Sequence, residues 1–354
     1  MNHKSVLRSC TGFWIDNDVR EGSPKLALVK RATFTKPVIN GRWGAFYPDG
    51  SLLTEATFYT GKENSVRFQI PELGVSAEDV LYNNRSDYIY GGNVSLHYGH
   101  YILDTISRLW YVSKYGLDGR KMVFQSGFPD GVNRWYKNPV VTSTMWALGI
   151  KDSDIFQPEY PEALRDVLIP EPCMQEKSFI YIDAASHLYH YIGDKICGNY
   201  GNEMSERPVY ISKSKLKTKG TGLANEKDLE LALQSLGFDI FYPELESFSD
   251  QIRLFRERKY IVGFLGSAFH TAAFSHCKGR IIIIGHGEKN NPNYQLFDLA
   301  GNNSPEYYHS PEIVQIGRYE DEHHTLGYAF RSENPKALAD DVLRVINSDP
   351  RTVI

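Results

Sequence analysis

The chain has 354 residues, 42% of them hydrophobic and 23% charged, with a formal charge of −4. That length suits two domains or one large one with ample core, and the composition is that of an ordinary soluble globular protein. The near-balanced charge excludes a global basic field that would recruit nucleic acid. Four scattered cysteines, Cys10, Cys173, Cys197 and Cys277, make no CxxC pair and no ligand-like spacing with histidine. They are expected to be reduced thiols and not disulfides or zinc ligands. The stretch "MNHKSVLRSC" lacks the apolar run of a signal peptide, and "RIIIIG" is far too short to span a bilayer. The expectation is a cytoplasmic protein, with peripheral membrane contact still compatible with it.

In chain order, residues 1 to about 90 are rich in glycine, aromatic and β-branched residues with turn signals such as "PDG" and "NNRSD", which predicts short strands and loops. A helix follows over "NVSLHYGHYILDTISRLW" (93–110), then a strand "KMVFQSG" (121–127), a helix near 137–149 and a strand "DVLIPEP" (166–172). From about 200 the alternation sharpens. "RPVYISKSK" reads as a strand leaving a basic loop. "NEKDLELALQSLGF" reads as a helix with Asn225 as cap and Gly237 as stop. "DIFYP" is a strand, "SFSDQIRLFRERK" a helix opened by Ser247 or Ser249, "YIVGF" a strand, "GSAFHTAAFSHC" a short helix and "RIIIIG" a strand. Strand–helix alternation with short connections predicts a parallel, doubly wound α/β sheet. The expected domains are 1–200, with an irregular β-rich start, and 201–330, a Rossmann-like unit; the last helix, within 331–354, is amphipathic and free to pack back on the first domain.

At 100° per residue, His97, His100, Asp104 and Arg108 fall within an arc of roughly 80° because they are spaced by threes and fours. Ile102, Ile106 and Leu109 lie opposite. One reading is a half-exposed helix with a solvated face. The other is chemical: such faces usually carry Lys and Glu, whereas this one carries two imidazoles beside a carboxylate. An imidazole oriented by a carboxylate has the parts of a general base near neutral pH. Arg108 could neutralise Asp104 or contact an anion. No GxSxG or Cys–His signature accompanies them, so a hydrolytic triad is not expected.

The stretch "YIVGFLGSAFHTAAF" is a strand, a loop with Gly263 and Gly266, and a helix start. The amides of Ser267, Ala268 and Phe269 would be unpaired donors suited to phosphate, although GxxG there is equally ordinary close packing. It is neither a Walker A loop nor a GxGxxG fingerprint. Lys213 and Lys215 follow a strand at the edge where open α/β sheets bind ligands, or else form a solvated basic loop.

Three of these blocks resemble glycosyltransferase family 61. "HYGHYILDTISRLW" resembles the family's histidine helix, with His100, Tyr101, Asp104 and Arg108 on its H-[WY]-x-x-D/E-x-x-x-R pattern. "RPVYISKSK" resembles its I-S-R strand, with Lys213 for the arginine. The run 225–267 resembles its most recognisable segment, including Asn225, Glu226, Gly237, Phe238, Pro243, Glu244, Gln251, Gly263, Gly266 and Ser267. The resemblance implies a GT-B fold, two Rossmann-like domains facing a cleft, with a nucleotide-sugar on the C-terminal one. It also implies inversion at the anomeric carbon with no obligatory metal and no cofactor beyond the nucleotide-sugar co-substrate. The sequence departs from the family where Leu265 replaces the loop histidine, Thr271 the following asparagine with His270 beside it, and Ile284 the strand glutamate, with Glu288 the nearest carboxylate.

The expected function is transfer of a sugar to a glycan or lipid-linked acceptor hydroxyl in capsule-type surface polysaccharide synthesis. His100 is assigned as base or acceptor-side ligand, Asp104 as its orienter, and His97 and Arg108 to the acceptor side. Arg207, Ser212, Lys213, Gln251, Gly263, Gly266, Ser267 and His270 are assigned to the donor; Glu244 and Glu246 either bind nucleoside or are solvated loop residues. The alternative is a catalytically silent GT-B module that binds glycan or protein partners. A dinucleotide-dependent oxidoreductase is discounted for want of the glycine fingerprint and its ribose acid.

Overall fold

In a computed structural model, residues 6–35, 43–67, 69–126, 131–198, 203–216, 221–320 and 326–348 are described. The protein is mixed α/β and divides into two compact units, residues 15–198 and residues 1–14 with 199–354. Among the described residues no helix is long and apolar enough to cross a membrane.

The 15–198 unit is built on a seven-stranded sheet. Tyr88–Asn93 pairs in parallel with Lys121–Gln125 on one side and Glu162–Pro170 on the other, and Glu162–Pro170 pairs antiparallel with Leu26–Phe34. The histidine helix connects Tyr88–Asn93 to Lys121–Gln125, a parallel crossover whose helix starts at the carboxyl end of its first strand. The core on this sheet gathers Phe34, Trp43, Tyr88, Tyr90, Val123, Leu164, Val167 and Ile169.

The second unit carries a six-stranded sheet in which Asp239–Phe241, Val209–Ile211, Tyr260–Phe264, Arg280–Gly285 and Glu306–His309 run parallel, in that order, with Arg8–Ser9 antiparallel at the edge. Its inner strands Val209–Ile211, Tyr260–Phe264 and Arg280–Gly285 are largely apolar runs because both faces are covered. Ile282 and Ile284 face a cluster containing Leu229, Leu233, Leu338 and Val342, from the helices Glu226–Ser235 and Pro335–Asn347. Ile281 and Ile283 face the opposite cluster, with Leu254, Phe255, Phe269 and Tyr294. Helices on both faces of a parallel sheet make it doubly wound.

Four expectations change. The 335–347 helix packs on the sheet of its own unit, because its apolar stripe of Leu338, Ala339, Val342 and Ile346 completes that core. Residues 6–14 belong to this unit as well: buried Asp341 accepts from the amides of Val6 and Leu7. Asn225 is not a side-chain cap; its amide and carbonyl pair with the backbone of Ser332. Ser267–Phe274 is a 3₁₀ helix, not an α-helix. Ser247, by contrast, does cap its helix, accepting from the amide of Asp250.

One buried acid predicts a pH effect. Asp298 accepts from the hydroxyl of Tyr307 at 2.6 Å, and burial pushes its carboxyl up to about 7. The folded chain then holds a proton that the unfolded chain releases near 3.8, so the contribution of Asp298 to stability is greatest at acid pH and falls as pH rises from about 4 through 7. Asp298→Asn should flatten this loss; melting temperatures of both proteins between pH 5 and 8 would check it, and parallel slopes would contradict it.

Candidate active site

The helix that carries the histidines changes its pitch. Tyr98–His100 is α-helical, Tyr101–Thr105 is a π turn closed by a bond from the amide of Ile106 to the carbonyl of Tyr101, Ile106–Arg108 is 3₁₀ and Trp110–Tyr115 is α-helical again. Such single π turns concentrate at functional sites. Side-chain bonds surround this one. Tyr189 donates to the carbonyl of Ile102, Thr105 Oγ1 donates to the carbonyl of Asn93 at 2.7 Å, and the hydroxyls of Tyr101 and Thr144 pair.

Within the turn, His100 Nδ1 lies 3.0 Å from Asp104 Oδ2. The Asp104 side chain is 8% exposed and that of His100 37%. The Asp104 bond, opposed by burial, holds the His100 imidazole above its ordinary value; burial raises the Asp104 carboxyl, opposed by His100. The pair thus keeps a shared proton to higher pH than a free imidazole would. Its neighbour Glu176 was not anticipated from sequence. This carboxylate is buried, accepts from Thr60 Oγ1 at 2.9 Å and pairs with Arg67 at 2.7 Å. Burial raises it, but Thr60, Arg67 and His100 outweigh burial and hold it below the usual carboxylate range. Nothing local in "CMQEKSF" marks it, since only the hairpin Met174–Gln175 with Phe179–Ile180 brings it there.

The four polar residues of the helix do not form a solvated face. His97 is exposed, with its ring centroid 5.1 Å from that of His100. Arg108 is 4% exposed and donates to three carbonyls: Glu55 at 3.0 Å, Pro170 at 2.6 Å and Thr57 at 3.1 Å. Its guanidinium also stands 5.3 Å from the Tyr90 ring centroid. Gly92, with φ +87, lets it pass: a Cβ there would lie 3.2 Å from Arg108 Cδ. Arg108 is therefore a structural tie, correcting its assignment as neutraliser of Asp104 or anion ligand.

Asp104, Arg108 and Glu176 line a cavity of about 170 Å³ wholly within this unit. Its other walls include Lys25, Glu55, Phe58, Tyr59 and Glu171.

In the second unit, the strands Val209–Ile211 and Tyr260–Phe264 are neighbours whose following helical segments cover opposite faces. That is the switch point where open α/β sheets bind ligands. Lys213 sits there. Its ammonium donates to the carbonyls of Thr221 and Leu265, both at 2.6 Å, and burial pushes it down to about 8. Gly266 leaves room for this contact, since a Cβ there would crowd Lys213 Cδ at 3.1 Å. Ser267 follows, half-buried, as the first residue of the 3₁₀ helix. Exposed Glu244 is near enough to act electrostatically on Lys213. His286, also unanticipated, leaves the carboxyl end of Arg280–Gly285, stacks on Phe330 at 4.5 Å and is lowered by burial, with Lys213 a smaller cause. The strand-end rule that points to Lys213 and Lys215 also points to it in "RIIIIGHG".

Other assigned donor residues have different places. Arg207 stands at the amino end of its strand, bonded to the carbonyl of Gly237 and paired with Asp239; it was misassigned because strand direction decides which edge a flanking residue occupies. His270 is sealed in the core between Tyr294 and Phe297, and burial lowers it to about 3, so it stays neutral. Ser212 is buried and donates to Glu230 at 2.6 Å. Gln251 donates to the carbonyls of Pro243 and Glu246. Gly263 packs under Phe269 and against the carbonyl of Ile211. Ile284, where the family's strand glutamate was expected, is core. Among the described residues no three His, Cys, Asp or Glu side chains form a metal-binding group.

A family model described as Glycosyltransferase 61 matches residues 98–282, more than half of the chain. The match runs from the first turn of the histidine helix to the fourth strand of the second sheet. The chain belongs to glycosyltransferase family 61, and membership implies glycosyltransferase activity. No curated protein sequence matches it.

The buried guanidinium gives a direct test of the geometry. Arg108→Met should strand three buried carbonyls and cost about 3 kcal/mol or more in chemical denaturation. His97→Ala, at an exposed position, should cost about 0.5 kcal/mol or less. Equal losses would refute the structural role given to Arg108.

Proposed function

We propose that the chain is an inverting, metal-independent glycosyltransferase of the GT-B type. It moves a sugar from a nucleotide-sugar to the hydroxyl of a glycan or lipid-linked acceptor, in cytoplasmic, capsule-type surface polysaccharide synthesis. The observation that carries this reading is the His100–Asp104 pair, at 3.0 Å, at the carboxyl edge of the parallel strands Tyr88–Asn93 and Lys121–Gln125. Asp104 accepts a hydrogen bond from Nδ1–H and fixes the tautomer, which leaves Nε2 to accept a proton. The acceptor hydroxyl gives its proton to Nε2 while its oxygen bonds to the anomeric carbon. The bond from that carbon to the diphosphate oxygen breaks on the opposite face, so configuration inverts.

The donor half of the proposal rests on the second sheet. Lys213, Gly266, Ser267 and His286 all stand at its carboxyl ends, and the Lys213 ammonium supplies positive potential there even while bonded to carbonyls. Parallel strands with such an edge in each unit support the GT-B reading. The silent-module alternative draws on one observation: the Lys213 ammonium is committed to the chain and His270 is sealed, so neither offers a ready donor ligand. Nucleoside diphosphate release from a panel of sugar nucleotides separates the two; no turnover with any donor would favour the silent module.

His100→Ala should lower the maximal rate by about 10²–10⁴-fold, the usual worth of a general base, with the thermal shift caused by nucleoside diphosphate unchanged. The pH profile adds a sign. Only neutral imidazole accepts a proton, and Asp104 raises His100 above 6.5, so the rate should climb with pH through a value above 6.5. In Asp104→Asn burial acts without its main opponent, and the limb should move to lower pH as the rate falls. A limb that stays in place would remove His100 from the base role.

A further inference from the structure

The cavity beside the His100–Asp104 pair has a wall chemistry of its own. Apart from the Lys25 ammonium and the Tyr59 hydroxyl, the side-chain donors of the wall are committed. Ser107 donates to the carbonyl of Asp104, Thr57 to that of Leu53, Thr54 to Glu55, and Arg108 to three carbonyls. Its acceptors are in excess. Glu55, Asp104, Glu171 and Glu176 all reach the wall, and each carboxylate offers about four lone-pair positions. Asp104 receives His100, while Glu176 receives Thr60 and Arg67. The cations that pair with Glu171 and Glu176, Arg20 and Arg67, are spent on them, and Arg20 also covers one face of the Phe179 ring at 3.5 Å. Exposed Lys25 is the other cation of the wall. Phe58 and Tyr59 add apolar ring surface.

Such a wall asks its occupant for hydrogen-bond donors and offers little to an anion. A phosphate or carboxylate would confront four carboxylates with the guanidinium already saturated, and like-charge juxtaposition costs binding. A volume of about 170 Å³ is close to that of a cavity known to hold a single six-membered ring, about 150 Å³. Asp104 belongs both to this wall and to the proposed base pair, so a ring seated here stands beside the residue that orients His100.

We propose that this cavity is a subsite for one uncharged, hydroxyl-bearing ring, the acceptor sugar, and that it discriminates against anionic rings. The proposal rests on the reading of His100 and Asp104 as the acceptor-side base, but its test does not require turnover. Methyl glucoside, methyl galactoside, methyl xyloside and methyl glucuronide would be titrated against the intact protein at pH 7 by saturation-transfer NMR. At least one neutral glycoside should bind, with the glucuronide about tenfold weaker or more. Ala27, on the cavity wall and a partner in none of the charged contacts named above, gives the second arm: Ala27→Leu fills the space and should weaken neutral glycoside binding by about tenfold, with the nucleoside diphosphate thermal shift retained. Equal or tighter glucuronide binding, no binding of any neutral glycoside, or binding indifferent to Ala27→Leu would each overturn the subsite. Should Ala27→Leu fail to fold, the neutral-to-anionic ratio on the native chain still decides. Transfer that survives His100→Ala alongside glycoside binding lost in Ala27→Leu would remove the base and leave the subsite standing.

Discussion

Arg108 is a cation held in the interior of the 15–198 unit by backbone carbonyls, and the placement of the histidine helix follows from how those carbonyls are distributed. Two belong to the 54–57 turn and one to the end of the 162–170 strand. The planar guanidinium fork reaches both segments at once, which a lysine with one nitrogen could not do with the same geometry. The helix is pinned to the same stretch by the Cys173 amide on the carbonyl of Ser107 and by Trp110 Nε1 on the carbonyl of Glu171. With its middle fixed there and its start fixed by the strand 88–93, the backbone between takes the wider π turn. Asp104 lies in that turn, one step from the anchor, and so faces a cavity bounded by the segments Arg108 ties together.

The second unit solves a related problem with the opposite charge. Glu226, in the first turn of the helix 226–235, is buried and accepts from the hydroxyl of Tyr210 at 3.0 Å; Glu230, one turn on, accepts from Ser212 and Tyr242. A helix start at the carboxyl end of a strand would otherwise be a seat for phosphate. Here the chain's own carboxylates occupy it, offset in part by Lys213. A diphosphate approaching this edge meets acid on the 226 side and glycine, serine and imidazole on the 266–286 side. The donor reading therefore concentrates on Gly266, Ser267 and His286, not on the helix that the sequence marks more strongly.

The alternation of strand and helix from 209 to 285 was legible because the inner strands are buried on both faces and the helices Glu226–Ser235 and Phe248–Glu257 on one, so apolar runs and apolar stripes differ in length and period. The histidine cluster was legible as a group because a helix repeats every three to four residues. Strand polarity was not used for Arg207, which flanks its strand at the end away from the ligand edge. His270 sits in "AFHTAAF", where apolar neighbours on both sides do not say whether the imidazole faces the edge or the aromatic core. Glu176 depended on a hairpin distant in sequence from the helix it meets. These misses share a cause: one-dimensional spacing records direction around an element, not depth within the fold.

Depth is what separates the roles along the histidine helix. On a wheel the four polar residues share a stripe, yet they descend from exposed His97 through half-exposed His100 to buried Asp104 and Arg108. Desolvation penalises the charged form more with each step. At Arg108 the charge survives because three carbonyls saturate it. At Asp104 burial raises the carboxyl, and the charge that remains is spent on holding the imidazole one turn nearer the surface. At His100 the ring is buried enough to be oriented and open enough to meet a substrate. A general base needs both conditions together, and a helix that enters the fold from a sheet edge supplies them in sequence along its own axis.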